Sequence, residues 1–180
     1  VTQPDIQGLK NAEDLVAYCA RVSNPSNQMN VETAPKLLKF LIKHKHWSPF
    51  ELVDMCVEIK TSRGIAAQIL RHRSFSFQEF SQRYSIANEF EDIELRLQGD
   101  KNRQVGEILM PTNTDAYDKV NELLVESLSL SQHCYDTMIE NGVAKEVARM
   151  ILPLTTQTTM YMKGSLRSWI HYIELRTEQN

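Results

Sequence analysis

Along residues 12–22, "AEDLVAYCARV", apolar side chains fall at Leu15, Val16, Cys19 and Val22, the spacing of a helix with one buried face. After the polar "SNPSNQMN", Thr33 and Pro35 open a second helix with Leu37, Leu38, Leu41 and Ile42 on its apolar side. That helix should stop near "HKHWSPF", because Pro49 drives Ser48 out of helical backbone. The period then changes. Val53, Met55, Val57 and Ile59 alternate with Asp54, Cys56, Glu58 and Lys60, which predicts a half-buried strand. Ser62 is placed to cap a helix through "RGIAAQILRHR", residues 63–73. Ile93, Leu95 and Leu97 alternate with Glu94 and Arg96, a second strand. Residues 114–140 carry the longest helical pattern, with Val120, Leu124, Leu128, Tyr135 and Met138 on the apolar side and Asn141-Gly142 as its stop. A short helix, "AKEVARMIL", ends at Pro153. The β-branched, Thr-rich "LTTQTTMYM" favours a strand, and Gly164 and Ser165 start a last helix through Arg176.

Strands and helices in this order do not alternate strictly, and no glycine-rich strand-to-helix turn appears. The expected fold is α+β, with a small antiparallel or mixed sheet and long helices, rather than a doubly wound sheet. The length of 180 residues fits one domain, 1–180. A long helix with much apolar surface points to an oligomer.

Composition narrows the partners. A hydrophobic content of 42% supplies a core, and a net charge of −3 speaks against a generally basic, nucleic-acid-coating protein. Any anion site must therefore be a local concentration of arginine. Cys19, Cys56 and Cys134 are odd in number and far apart, as reduced intracellular thiols are, and no CxxC pair offers a structural zinc site. The opening "VTQPDIQGLK" has no apolar signal region, and no apolar run reaches membrane-spanning length. The expectation is a soluble, cytoplasmic or intracellular protein with no membrane partner and no metal. The chain starts at Val1 without Met, so the native start is expected to lie upstream.

Local concentration is what "RHRSFSFQEFSQRYS", residues 71–85, provides. On a helix Gln68, Arg71 and His72 share one side, and cations at a helix end complement its dipole. If residues 75–83 are extended, Phe75, Phe77, Glu79, Ser81 and Arg83 point one way. An acceptor, a hydroxyl and a guanidinium so arranged suit a ligand with a phosphate and a hydrogen-bonding ring. Arginine with interleaved phenylalanine also suits an RNA- or single-strand-binding module. The nearby Glu79, Glu89, Glu91 and Asp92 would repel a long polyanion. Ser81 with His72 as base lacks a visible oxyanion hole, and a hydrogen-bonding hydroxyl is the plainer role. His44 and His46 lack companion ligands at metal spacing. In the last helix Leu166, Trp169, Ile170 and Ile173 form the apolar stripe, opposite Arg167, His171 and Glu174. Arg176, at the edge of that stripe, and Arg149, beside "MILPL", are cations near apolar surface. Such cations snorkel, pair with a carboxylate or face a pocket.

Arg71-His72-Arg73, followed after seven residues by Ser81, resembles the signature of flavin-dependent thymidylate synthases. Glu79, Ser81, Arg83 and Tyr84 meet its longer form, and "HWSPFE", "ARMILPL" and "RSWIHYIELR" resemble the same family in the same order. The resemblance implies a homotetramer of α+β subunits with active sites shared between chains. It implies methylation of dUMP to dTMP, with methylenetetrahydrofolate giving the carbon and FAD, reduced by NADPH, giving the hydride. By similarity Ser48, Glu51, Arg71, His72, Arg73, Glu79, Ser165, Leu166, Arg167 and His171 contact FAD, with His46 near the flavin ring. Gln68, Ile69, Leu70, Arg71, Glu79, Phe80, Ser81, Gln82, Arg83, Arg149 and Arg176 line the dUMP site, and Arg176 favours the ionised uracil ring.

Two features of the residues agree with this. No cysteine sits beside the arginine cluster, and flavin hydride chemistry removes the need for a thiolate. An arginine in a dry pocket stabilises charge developing on the ring. Two features depart from the family: Gln78 stands where Asn is usual, and the chain ends at Asn180, where the family continues with more helix and further ligand contacts. A C-terminal tail beyond Asn180 is therefore expected. No dinucleotide fingerprint is present.

Overall fold

A computed structural model of the chain describes residues 1–83, 89–100 and 106–177, with Glu107 and Ile108 described by their backbone alone. Tyr84 of the signature lies outside the described residues. The chain forms two compact units. The first comprises Val1–Ile59, Leu70–Gln78 and Met160–Asn180, the second Lys60–Ile69 and Glu79–Thr159. Strands β1 (Asp54–Ser62), β2 (Ser76–Glu79) and β5 (Gln157–Ser165) make a three-stranded sheet in the order β1-β5-β2. The architecture is α+β.

In the first unit, helix α1 (Ala12–Ala20) starts where Asn11 caps it, its side chain accepting from the Asp14 N–H at 2.9 Å. The Asp14 carboxylate in turn accepts from the Lys10 N–H at 2.8 Å, so two otherwise unpaired donors are satisfied. Helix α2 (Ala34–Lys43) has Pro35 in its first turn. It ends at Lys43, and Lys45 has a positive φ of 57°, so the chain leaves the helix before Pro49, and Ser48, expected out of helical backbone, instead opens a 3₁₀ turn, Ser48–Leu52. Val16, Leu41, Phe50 and Val53 form the buried core, with Leu37, Leu38, Leu166 and Ile170 packed on it. Helix α6 (Leu166–Thr177) is tied to β1 by the Trp169 indole, whose N–H donates to the Met55 carbonyl at 3.0 Å.

The helix expected over 63–73 ends early, as α3 (Arg63–Ile69). Residues 70–75 turn instead, bringing Phe75 into the first unit's interior, edge-on to Trp169 at 4.9 Å. Burying that ring outweighs a further turn of helix, so Gln68, Arg71 and His72 do not share a helix side. Extended backbone covers only Ser76–Glu79, not 75–83. Gly164 and Ser165 belong to β5, and α6 starts after them. Gly164 serves packing there: Phe75 occupies the space a side chain at this position would need. Strand β5 also starts later than "LTTQTTMYM", because Thr156 turns back on Pro153 through both its N–H (3.0 Å) and its hydroxyl (2.7 Å).

In the second unit, the strand expected over 93–97 shrinks to β3 (Arg96–Gln98). It pairs antiparallel with β4 (Gly106–Leu109), which periodicity did not signal because it carries no alternating run. Helix α4 (Asp115–Glu140) is capped by the Thr114 hydroxyl, which accepts from the Tyr117 N–H at 3.2 Å. Its end is marked by Gly142 at φ +77°, backbone that glycine adopts freely. Tyr135 is fully buried, and Leu124, Leu128 and Met138 are half-buried. Val120, expected on the same side, is exposed, as are Leu123, Val125 and Leu130. The single helix expected over 144–152 is α5 (Lys145–Ala148) followed by a 3₁₀ turn, Arg149–Ile151.

Candidate functional site

The end of β2 opens a cavity in the second unit. Phe80, itself exposed, anchors the chain there by donating its N–H to the Thr159 carbonyl at 2.8 Å. Arg63, Glu79, Ser81, Gln82, Arg83 and Arg149 line a space of about 390 Å³. A neighbouring space of about 290 Å³ shares Arg63, Gln82 and Arg149 and adds the apolar Met150, Leu152 and Leu154. Glu79 Oε1 accepts from Arg63 Nη1 at 3.1 Å and from the Thr158 hydroxyl at 3.0 Å. The Gln82 side chain is 96% buried by its 4% exposure, and its Nε2 has no hydrogen-bond partner among the described residues. A buried donor without a partner costs stability unless an occupant accepts from it. Arg149 Nε donates to the Glu146 carbonyl at 3.3 Å.

The first unit has a cavity of about 320 Å³ lined by Glu51, Ser74, Ser165, Arg167, Ser168 and His171. Arg167 bonds the Glu51 carboxylate. Ser165 Oγ lies 3.3 Å from Ser168 Oγ and accepts from the Ser168 N–H at 3.3 Å, fixing two hydroxyls at the start of α6. The His171 ring meets Trp47 edge-on at 4.8 Å. His46 and Ser48 are exposed, and the His46 ring lies 6.1 Å from Phe40.

A second cluster of the first unit surrounds Arg176. Its Nη2 lies 3.1 Å from His72 Nε2, its guanidinium sits 5.5 Å over the Tyr172 ring, and Tyr172 meets the His72 ring edge-on at 4.8 Å. With arginine as the donor, the imidazole must accept and therefore be neutral there. Burial, then Arg176 and Arg71, hold the His72 pKa below its ordinary 6.5. The unfolded chain therefore takes up a proton at this site before the folded protein does. The histidine's contribution to stability is present above pH 6.5 and is lost as pH falls. We expect unfolding titrations from pH 7.5 to 5 to show a shallower loss of stability in His72→Gln than in the wild type. An equal slope would remove this role.

Of the residues expected to bind nucleotide, Glu79, Phe80, Ser81, Gln82, Arg83 and Arg149 come together in the second unit, where Gln68 is exposed and Ile69 buried on α3. Leu70, Arg71 and Arg176 belong to the first unit and are exposed. Of those expected to bind cofactor, Glu51, Ser165, Arg167 and His171 share the first unit's cavity. Arg73 is exposed, and Leu166 packs on the core. Sequence reasoning missed Arg63, Ser74 and Ser168. The last two sit at helical or turn spacing from expected residues, but nothing local distinguishes Arg63. Among the described residues no group of three His, Cys, Asp or Glu is placed to hold a metal ion, and no helix is long and apolar enough to cross a membrane.

Arginines, hydroxyls and an unpartnered amide line small cavities on an α+β frame, a lining whose chemistry suits anionic, hydrogen-bonding small molecules. The family model of thymidylate synthase complementing proteins matches residues 6–180. The chain is 53% identical over 180 residues to a probable flavin-dependent thymidylate synthase of Paramecium bursaria Chlorella virus 1, covering 98% of this chain and 82% of the relative. It is 52% identical over 172 residues to the flavin-dependent thymidylate synthase of Synechocystis sp. (strain ATCC 27184 / PCC 6803 / Kazusa), covering 93% and 76%. A crystal structure of the UMP/dUMP methylase PolB from Streptomyces cacaoi, bound with 5-Br dUMP, matches with a TM-score of 0.73 at 24% identity, over 89% of this chain and 71% of that one. That last likeness is one of fold. The chain belongs to the thymidylate synthase complementing family, whose matching members named above are flavin-dependent thymidylate synthases.

Proposed function

We propose that this chain methylates dUMP to dTMP, with methylenetetrahydrofolate as carbon donor, FAD as hydride carrier and NADPH as reductant. The observation that carries the reading is the second unit's cavity, where three guanidiniums surround a hydroxyl and a buried amide N–H that lacks a partner. Arg63, Arg83 and Arg149 supply the charge a nucleotide phosphate needs, and Ser81 adds a hydrogen bond to it. Gln82 offers a donor to an acceptor on the nucleotide. The motifs in which Ser81, Arg83 and Arg149 stand support the same roles, as does membership of the family.

The residues of the first unit's cavity fit FAD. Ser74, Ser165 and Ser168 present hydroxyls and Arg167 a cation, a donor set suited to a dinucleotide's phosphates and ribose. Glu51 orients Arg167, and His171 offers a ring nitrogen. When bound, FAD would supply the hydride. The chain's own part is to bind, orient and polarise. Arg176, exposed and held by His72 and Tyr172, would favour negative charge on the uracil ring. Burial raises the Cys19 pKa, so this thiol is a poor source of thiolate, which agrees with a route that uses no enzyme nucleophile.

The exposed Val120, Leu123, Val125 and Leu130 of α4 support assembly as a homotetramer with shared sites. Free Cys19, Cys56 and Cys134 suit a reducing, intracellular setting.

The test is spectroscopic. Protein reconstituted with FAD should show flavin absorption that NADPH bleaches. Adding dUMP and methylenetetrahydrofolate should restore it, with dTMP formed. Protein that takes up no FAD, or bleaches without forming dTMP, overturns the reading.

A further inference from the structure

We infer that Arg63 is a positioning residue of the nucleotide cavity, which neutralises Glu79 so that a carboxylate and a substrate phosphate occupy one small space. The inference rests on the reading of this cavity as the dUMP site. Glu79 lines the same space of about 390 Å³ as Ser81, Arg83 and Arg149. An uncompensated carboxylate there would repel a phosphate. Arg63 Nη1 meets Glu79 Oε1 at 3.1 Å, and both side chains are largely shielded, at 32% and 20% exposure. Arg83 and Arg149 line the same space, so guanidiniums stand beside the compensated pair where a phosphate would enter.

The geometry fixes both ends of this pair. The Arg63 backbone N–H donates to the Thr156 carbonyl at 2.9 Å, and the next residue, Gly64, donates to the Leu154 carbonyl at 2.9 Å. The start of α3 is thereby pinned to the turn after Pro153. On the other side, the buried Thr158 hydroxyl holds the same Glu79 Oε1 that Arg63 holds. Two donors from different elements, Arg63 Nη1 and the Thr158 hydroxyl, thus converge on one carboxylate oxygen and fix its place. Only one of the Arg63 donors is used by Glu79, and Arg63 also lines the neighbouring space of about 290 Å³. The planar fork matters, because it lets one cation hold a carboxylate while turning other N–H groups to the cavity.

The test measures binding of dUMP and of deoxyuridine, which lacks the phosphate, to the FAD-loaded protein by calorimetry. Wild-type protein that binds no dUMP would fail the underlying reading, separately from this one. Given wild-type binding, Arg63→Gln should weaken dUMP about tenfold and deoxyuridine little. Arg63→Lys should recover part of the loss. The deciding variant is the pair Arg63→Gln with Glu79→Gln: removing the carboxylate should restore much of the dUMP affinity that Arg63→Gln lost. Unchanged dUMP affinity in Arg63→Gln, an equal loss for deoxyuridine, or no recovery in the double variant would each overturn the inference. FAD content and the thermal unfolding midpoint identify a variant that has merely lost its fold. If Arg63→Gln does not fold, Arg63→Met alone and with Glu79→Gln, which also removes the charge, carries the same decision.

Discussion

Arg176→Ala should keep its flavin and lose dTMP formation by about a hundredfold or more. The side chain is exposed and near the end of α6, so its removal should cost the fold little. Its guanidinium meets His72 Nε2 and the Tyr172 face, and among the described residues no carboxylate pairs with it. A cation held by a neutral acceptor and a ring keeps its charge uncancelled. That is the condition for stabilising charge that develops on a substrate rather than balancing charge already in the protein. The expected signature is a fall in kcat and kcat/KM together, with a smaller change in dUMP affinity. Arg176→Lys should not restore the rate, since a point charge does not reproduce the planar contact with His72 and Tyr172. Single-turnover reoxidation of reduced enzyme with dUMP and methylenetetrahydrofolate reads the step directly. Unchanged turnover, or loss of flavin with the rate, would remove Arg176 from the chemistry.

What the sequence made legible follows from where burial is one-sided. Helix α1 buries Val16 in the core, and strand β1 alternates half-buried Met55, Val57 and Ile59 with exposed Cys56, Glu58 and Lys60, so a one-sided pattern marks each. Leu70–Phe75 is different. Helical propensity and a well-spaced Gln68-Arg71-His72 set argue locally for more helix. The outcome is decided by the fit of Phe75 against Gly164 and Trp169, residues far along the chain that no local period reports. The same holds in the cavities. Ser81, Arg83 and Arg149 stand in recognisable motifs, and the structure brings them to one space. Arg63 looks like an ordinary first-turn arginine until the turn after Pro153 anchors its backbone. Gln82 is marked in the sequence only through the family resemblance, and the burial of its amide without a partner is legible only in the fold. Gln78, which departs from the family's usual Asn, is exposed on β2, and nothing in the structure explains the substitution.

The close fit at Gly164 makes the second large effect a steric one. A Cβ at this position would lie 2.5 Å from Phe75 Cδ1 and 2.7 Å from Cε1, well inside contact distance. The ring cannot simply step aside. It is buried, edge-on to Trp169 at 4.9 Å and to Tyr172 at 5.7 Å, and Trp169 is itself bonded to the Met55 carbonyl. Gly164→Ala should therefore destabilise the protein by about 2–3 kcal/mol, the upper part of the range for overpacking a closed core. A urea midpoint measured at fixed FAD concentration reads this, because bound cofactor would otherwise add its own stabilisation. The damage should also reach the chemistry. Displacing Phe75 pushes on Tyr172, which carries both the His72 and the Arg176 contacts, so turnover should fall in the protein that remains folded. Phe75→Leu separates overlap from any other cause. Alone it creates a cavity and costs stability; in the Gly164→Ala background it removes the ring atoms that clash and should cost less or even stabilise. Losses that simply add in the double variant would show that the ring and the glycine do not share one space.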